Sequence, residues 1–299
     1  MDKVCIIGLG KLGSHLYYSL NRTGKFRVYY TVKNSKTKIS PDKVNACRII
    51  FICSGDSEIA GVVKNLSANN FNLKDKFIYH TSGALSSEIL MPLKRKGAFA
   101  GSFHPVQTFD ARVTGHNKKM NNIYIAIEGN SAACTKAKEI IKSLHSRAVK
   151  MNAEDKILHH INCVIASNYL IAYFNIIEEI SQDLSITYGN KKILKNGFKK
   201  SSFFNIYKPL AEQTIENIKA KGFIKSLTGP VERNDFNTVR LHLNSLKKRL
   251  PGLLPFYSLM GIETVSIALK KKSITKIEAQ KMVKEFHKYL SLSKKKNKN

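Results

Sequence analysis

The 299-residue sequence predicts an α/β chain in which a doubly wound, mostly parallel sheet is followed by an all-helical domain. Three observations carry that reading. Short β-branched and aromatic runs alternate with helical patterns through the first half, a glycine-rich turn joins the first run to the first helical pattern, and no convincing strand pattern remains beyond about residue 152. The expected organisation is a sheet domain over residues 1–151, a helical domain over 152–290 and a disordered basic tail, "SLSKKKNKN", over 291–299.

The predicted strands are "KVCIIGLG", "FRVYYTV", "CRIIFIC", "KFIYH", "GAFAGSF" and "IYIAIEG", each a few apolar residues bounded by turn residues. Helix-like segments at 11–21, 58–66, 86–96 and 132–144 lie between several of them, and such alternation implies βα units on a parallel sheet. The spans near 154–183, 205–221, 236–249, 253–270 and 275–290 all read as helices.

Composition narrows the class. The chain is 43% hydrophobic and 24% charged, enough apolar content for ordinary cores. Its five cysteines, Cys5, Cys47, Cys53, Cys134 and Cys163, have no paired spacing, so neither a disulfide framework nor a metal site is expected and a reducing cytoplasm fits best. The N-terminal apolar run is too short for a signal peptide. The apolar run 161–177 contains Asn162, Asn168 and Asn175, which argues against a membrane span. A net charge of +29 raises the question of nucleic acid, but it divides as +15 and +14 between residues 1–150 and 151–299, and only nine of the 50 basic residues are arginine. A lysine-rich compositional bias accounts for it without a specific nucleic-acid partner.

"GLGKLG" places Gly8, Gly10 and Gly13 as G-x-G-x-x-G directly after a strand and before a helix. In a dinucleotide-binding turn the first glycine permits the tight bend, the second admits the pyrophosphate, and the third lets helix and strand pack closely, with the helix N-terminus at Lys11 and Leu12 facing the anion. Ser54, just past the third strand, joins the expected cofactor set. An NAD site would place Asp or Glu about twenty residues on. None stands between Lys3 and Pro41, whereas Thr31, Lys33, Asn34, Ser35 and Lys36 end the second strand, so NADP is expected over NAD.

The loops "HTSGALSSEIL" and "GSFHPVQTF" follow predicted strands, at the edge where open α/β sheets bind ligands. His80, Ser82, Gly83, His104, Gln107 and Thr108 are therefore candidate cleft residues. Arg233, in "LTGPVERND", is either a clamp for a substrate carboxylate or the ion-pair partner of Asp235. In "KILHHINCVIASN", Lys156, His160, Cys163 and Ser167 fall within about 60° on one helix face. A desolvated lysine can serve as a proton donor. The plain alternative is a helix start capped by Asn152 with Lys156 solvated.

Taken in order, "GLGKLG", "HTSGALSSEIL", "GSFHPVQTF", "K-x-x-x-H…ASNYL" and "LTGPVERND…HL" resemble the bacterial proteins that join a Rossmann-like half to a half catalogued as domain of unknown function 2520. That family is similar to the 6-phosphogluconate dehydrogenase-like enzymes, alongside ketopantoate reductase, β-hydroxyacid dehydrogenases and pyrroline-carboxylate reductase. The resemblance implies an NAD(P)-binding N-terminal domain and a helical, often dimerising, C-terminal one. Several of those enzymes carry a catalytic K-x-x-x-N on the first long helix after the nucleotide domain. Lys156 matches its lysine, and His160 takes the asparagine's place. His159 stands where tyrosine is usual, and Asn234 where glycine is usual.

The combined expectation is a cytoplasmic, homodimeric NADP-dependent oxidoreductase acting on a small carbonyl or imine. Lys156 is its proton donor, His160 orients the lysine, and Asn168 and Arg233 contribute to the substrate cleft. The alternative is a dinucleotide-binding or sensing protein of the same fold without turnover.

Overall fold

The computed structural model describes residues 1–32, 39–115, 120–184, 187–188, 191–192 and 202–290. Seven strands form one sheet in the order β2-β1-β3-β4-β5-β6-β7. They are β1 (Asp2–Ile7), β2 (Phe26–Thr31), β3 (Ile49–Ile52), β4 (Phe77–His80), β5 (Phe99–Pro105), β6 (Tyr124–Gly129) and β7 (Arg147–Lys150). All neighbours are parallel except β5 and β6, so the last two strands run against the other five. The six strands read from sequence are all present. The seventh, four exposed residues at the sheet edge, has no apolar pattern by which to be read.

Helices cover both faces, as β3 and β4 require, being buried on both sides. Val4, Ile6, Phe51, Tyr79 and Phe103 pack against α1 (Lys11–Arg22) and α5 (Ser131–Ser143). Cys5, Ile7, Ile50, Ile52 and Ile78 pack on the other face. There they meet α3 (Asp56–Ala68), the 3-10 turn Ser87–Leu90 and α4 (Met91–Lys94). A short α2 (Pro41–Asn45) follows β2.

Beyond β7 the described residues form helices and their connecting turns, together with a two-residue antiparallel bridge between Thr187–Tyr188 and Lys191–Lys192 that the sequence reading does not include. The helices are α6 (Lys156–Val164), α7 (Leu170–Gln182), α8 (Ser202–Ser226, broken at Gly222), α9 (Phe236–Arg249), α10 (Leu254–Lys271) and α11 (Lys276–Leu290). A π-helical turn, Ile165–Tyr169, joins α6 to α7. The chain divides into two compact units, Met1–Leu170 and Ile171–Asn299. In the second, Val239, Leu243, Val265, Met282 and Phe286 form a core of their own. Asp235 caps α9 by accepting from Thr238 N (3.0 Å), and Thr275 with Glu278 forms a capping box at α11. Two helical spans, Lys156–Gln182 and Pro251–Lys271, are long and apolar enough to cross a membrane by length and composition alone. All five cysteines are free thiols.

The glycine turn is the tightest point of the sheet unit. A Cβ on Gly13 would lie 2.0 Å from Gly8 O, and one on Gly8, whose φ is +98°, would lie 2.9 Å from Cys53 O. Gly10 is different, with open space where its Cβ would stand. Gly13→Ala is therefore expected to destabilise the chain by about 2–3 kcal/mol through overpacking. Gly10→Ala is expected to stay within about 0.5 kcal/mol of the native chain. Urea unfolding of both variants checks this, and a Gly13→Ala chain as stable as the native one would refute the close packing.

Candidate active site

The strand register brings the site together. Ile7, Ile52, His80 and Ser102 stand in one row across β1, β3, β4 and β5, and Glu128 of β6 continues it opposite Ser102. The Gly8–Gly10, Cys53–Ser54 and Thr81–Gly83 segments thus leave the sheet along the same edge. The order β2-β1-β3 puts the reversal of strand order at β1, where α/β sheets form a ligand crevice.

At that crevice α1 begins without a side-chain cap and without an acidic residue in its first turn. Ser14 N bonds Gly10 O at 3.0 Å, leaving the helix-start amides of Lys11, Leu12 and Gly13 as the donors a phosphate would take. With Gly10 open, this turn fits a dinucleotide pyrophosphate. Thr31 has another role: it is buried, its hydroxyl accepts from Ser40 N (3.1 Å), and its carbonyl accepts from Gly8 N (2.9 Å). Lys33, Asn34, Ser35 and Lys36 lie outside the described residues. Lys43, which the sequence reading passed over, sits beside the end of β2 and donates to Tyr30 O at 3.0 Å.

Lys156 is fully buried. It is not the solvated helix start of the plain alternative. Its Nζ donates to Ser82 O at 3.1 Å and to Ser102 Oγ at 2.9 Å. Burial pulls its pKa down to about 8, against the opposing pull of Glu128 and Asp56. Glu128 is itself held by Ser87, accepting from its N at 2.7 Å and its Oγ at 2.6 Å.

His80 is wholly enclosed and does not line open space. Its Nδ1 accepts from Ser82 N (3.2 Å) and its Nε2 donates to Ser86 O (3.1 Å), so one neutral tautomer shapes the loop that presents Ser82 O. Burial, then the Lys156 charge, holds its pKa near 4. The same two causes, in the same order, hold His104 near 3.

Gly83 lies against two imidazoles: a Cβ there would stand 2.8 Å from His104 Nε2 and 2.8 Å from His160 Nδ1. His160 Nδ1 is buried without a hydrogen-bond partner among the described residues, and the bonds that orient Lys156 come from Ser82 and Ser102. His104, Gln107, Thr108, Cys163 and Ser167 line a cavity of about 210 Å³. Asn168 is exposed and accepts from Ser167 Oγ at 2.9 Å. Arg233 is an exposed residue of the second unit, and Asp235 is engaged as the α9 cap. Sequence reasoning missed Ser102, Glu128 and His159 as parts of this site. For the first two, only a polar residue within an apolar strand marks the position.

Residues 2–105 match the family model of the Rossmann-like domain, and residues 123–264 match that of the domain of unknown function DUF2520. No curated protein matches the chain in sequence. Among solved structures, a Bacteroides fragilis protein assigned as an NADP oxidoreductase superposes with a TM-score of 0.66 at 19% identity, over 89% of this chain and 98% of that one. A Thermotoga maritima protein gives 0.60 at 20% identity, over 97% and 99%. Plasmodium falciparum pyrroline carboxylate reductase with NADP bound gives 0.53 at 13%, over 97% and 98%. At these identities the likeness establishes the fold.

The lysine environment has a consequence for stability. A lysine whose folded pKa of about 8 lies below its ordinary 10.5 leaves the unfolded chain binding more protons between those values. Stability contributed by this group therefore rises as pH climbs from about 8 to 10.5, by up to about 3 kcal/mol. Lys156→Met is expected to lack that increment, so native stability minus variant stability should increase over this window. Urea midpoints at several pH values measure it, and a difference flat in pH would refute the depressed pKa.

Proposed function

From the premise that the chain joins a Rossmann-like domain to a DUF2520 domain, we propose that it is an NADP-dependent oxidoreductase acting on a small carbonyl or imine carbon. The observation that carries the reading is the single sheet edge that bears both an open, uncapped glycine turn and a desolvated lysine. The amides of Lys11, Leu12 and Gly13 would hold the pyrophosphate, with Gly10 giving it room and Ser54 beside the turn. The dinucleotide, when bound, supplies or accepts the hydride. Lys156 supplies the accompanying proton, which leaves Nζ along the bond to Ser102 Oγ, a hydroxyl able to accept one proton and release another. Ser82 O holds the ammonium in place, and His80 holds Ser82.

NADP is favoured over NAD by the absence of any carboxylate between Lys3 and Pro41, by the lysines at 33 and 36, and by Lys43. The five free thiols suit a cytoplasmic setting. The second reading, a dinucleotide-binding protein without turnover, is favoured by one observation: Lys156 has no exposed surface.

Turnover of any keto acid or imine with NADPH would rule out the second reading, and two further measurements test the first. NADPH is expected to bind at least about tenfold more tightly than NADH, as the loss of charge-assisted phosphate contacts implies. Lys156→Met should keep that preference while losing about 10²–10⁴-fold in turnover of a keto acid or imine found by screening. Equal affinities measured by nicotinamide fluorescence would overturn the NADP assignment. Full turnover in a folded Lys156→Met chain would overturn the proton-donor role.

The chain is further proposed to form a homodimer through α6 and α7. Ile157, Leu158, Ile161, Ile165, Tyr169 and Ile171 are between 46% and 71% exposed, an apolar face long enough to need a partner. Light scattering at moderate salt is expected to give the dimer mass, and a monomer at micromolar concentration would refute it.

A further inference from the structure

Lys156 and the glycine turn leave one cluster of the sheet unit unused. His104 stands on β5, and His159 and Cys163 stand one turn apart on the same face of α6. One ligand atom from each of the three lies within 4.8 Å of the other two. The sequence gives no hint of this set, because His104 precedes His159 by 55 residues and the cysteine spacing is not that of a metal motif. We propose that His104 Nδ1, His159 Nε2 and Cys163 Sγ bind a zinc-class divalent ion whose remaining coordination position opens on the adjoining cavity.

Two of the three donor separations match those around a tetrahedral ion. Tetrahedral metal–nitrogen bonds of about 2.0–2.1 Å and a metal–sulfur bond of about 2.3 Å set two nitrogens about 3.3 Å apart and a nitrogen and a sulfur about 3.6 Å apart. His104 Nδ1 and His159 Nε2 are 3.3 Å apart, and His159 Nε2 and Cys163 Sγ are 3.7 Å apart. As hydrogen bonds these contacts compete, since a neutral imidazole nitrogen either donates or accepts, and His159 Nε2 has a neighbour on each side. A cation held among the three atoms, which all lie within 4.8 Å of one another, would give each of them the same partner. The set is also well fixed. His104 lies edge-on against Gly83, which leaves its Nδ1 turned toward His159.

The chemistry of the donors selects the ion. Two imidazoles and a thiolate suit zinc, whereas magnesium and calcium take oxygen ligands. Binding forms two metal–nitrogen bonds and one metal–sulfur bond and releases the Cys163 thiol proton to solvent. Three protein ligands leave a fourth position. His104 and Cys163 both line the cavity of about 210 Å³ that also presents Gln107, Thr108 and Ser167. Water, or an oxygen or nitrogen donor of a small molecule, would complete the shell from that side.

The test needs no dinucleotide, so its result stands apart from the oxidoreductase reading. The tag-free full-length chain, stripped with chelator, is titrated with Co²⁺ and followed by absorbance. One equivalent should bind with a thiolate-to-cobalt charge-transfer band and the strong visible bands of tetrahedral cobalt. Cys163→Ser should abolish the charge-transfer band although the other four cysteines remain, and His159→Gln should weaken binding at least about tenfold, the loss of one ligand. In the unaltered chain, saturating Zn²⁺ should protect the Cys163 peptide from alkylation as read by mass spectrometry. That last measurement holds even if a variant fails to fold. Binding without a thiolate band, a band that survives Cys163→Ser, affinity unchanged in His159→Gln, or equal alkylation with and without Zn²⁺ would each overturn the site.

Discussion

An ammonium group withdrawn from water is the constraint around which the sheet unit is built. An unpaired buried charge costs several kcal/mol, so Lys156 can remain buried only where acceptors are supplied to it. They come from two other segments: Ser82 O from the loop after β4, and Ser102 Oγ from the middle of β5. Each supplier is itself held. Ser82 is fixed by His80, which accepts from its amide while donating to Ser86 O. Ser102 is fixed by its register between His80 and Glu128. Glu128 lends its charge to the lysine's surroundings and binds both donors of Ser87, which docks the 3-10 turn on the sheet. The start of α6, the β4 loop and the middle of β5 are thus tied through one cation, and the neutrality of His80 and His104 follows partly from having that cation nearby.

The glycines divide by what they make room for. Gly8 and Gly13 admit backbone, and their nearest neighbours are the carbonyls of Cys53, just past β3, and of Gly8 in the turn. Gly83 admits side chains, and its neighbours are the His104 and His160 rings. Gly10 admits nothing that belongs to the chain. A glycine with open space at an uncapped helix start leaves room for an anion to approach the helix amides. The π-helical turn at Ile165–Tyr169 belongs to the same neighbourhood: it begins two residues after Cys163, and Ser167 within it donates to Cys163 O at 2.7 Å.

What the sequence discloses is what is local. Apolar runs bounded by turn residues expose six strands, and the glycine spacing exposes the turn. β7 escapes because Arg147–Lys150 is exposed throughout and has no alternation to detect. Within the helix, the i, i+4 spacing predicts Lys156 and His160 on one face, and both do meet buried surroundings, yet the lysine's partners are Ser82 and Ser102, 74 and 54 residues away. Thr31 reads as a phosphate ligand by its place at the end of β2, but its hydroxyl serves the neighbouring Ser40 amide. Asn234 shows the opposite case, where structure explains a departure from the family. Its φ is +55°, a left-handed conformation in which glycine is at ease and asparagine is among the best-tolerated replacements.

The helix that begins at Lys156 inverts the usual amphipathic arrangement. A surface helix ordinarily turns its apolar stripe to the core and its charges to water. Here Lys156 is buried and His159, His160 and Cys163 are partly covered, while Ile157, Leu158, Ile161 and Ile165 are exposed. The inward face is polar because it meets a polar row of the sheet. Among the described residues the outward face stays largely exposed, and it is the surface that the proposed homodimer would cover. Hydropathy alone would permit a bilayer, but Asn162, Asn168 and Asn175 along this helix would each set a side-chain amide at membrane depth. In the proposed homodimer a second copy of the same helix would meet both demands, because asparagines at a protein interface can find hydrogen-bond partners while the isoleucines and leucine bury one another.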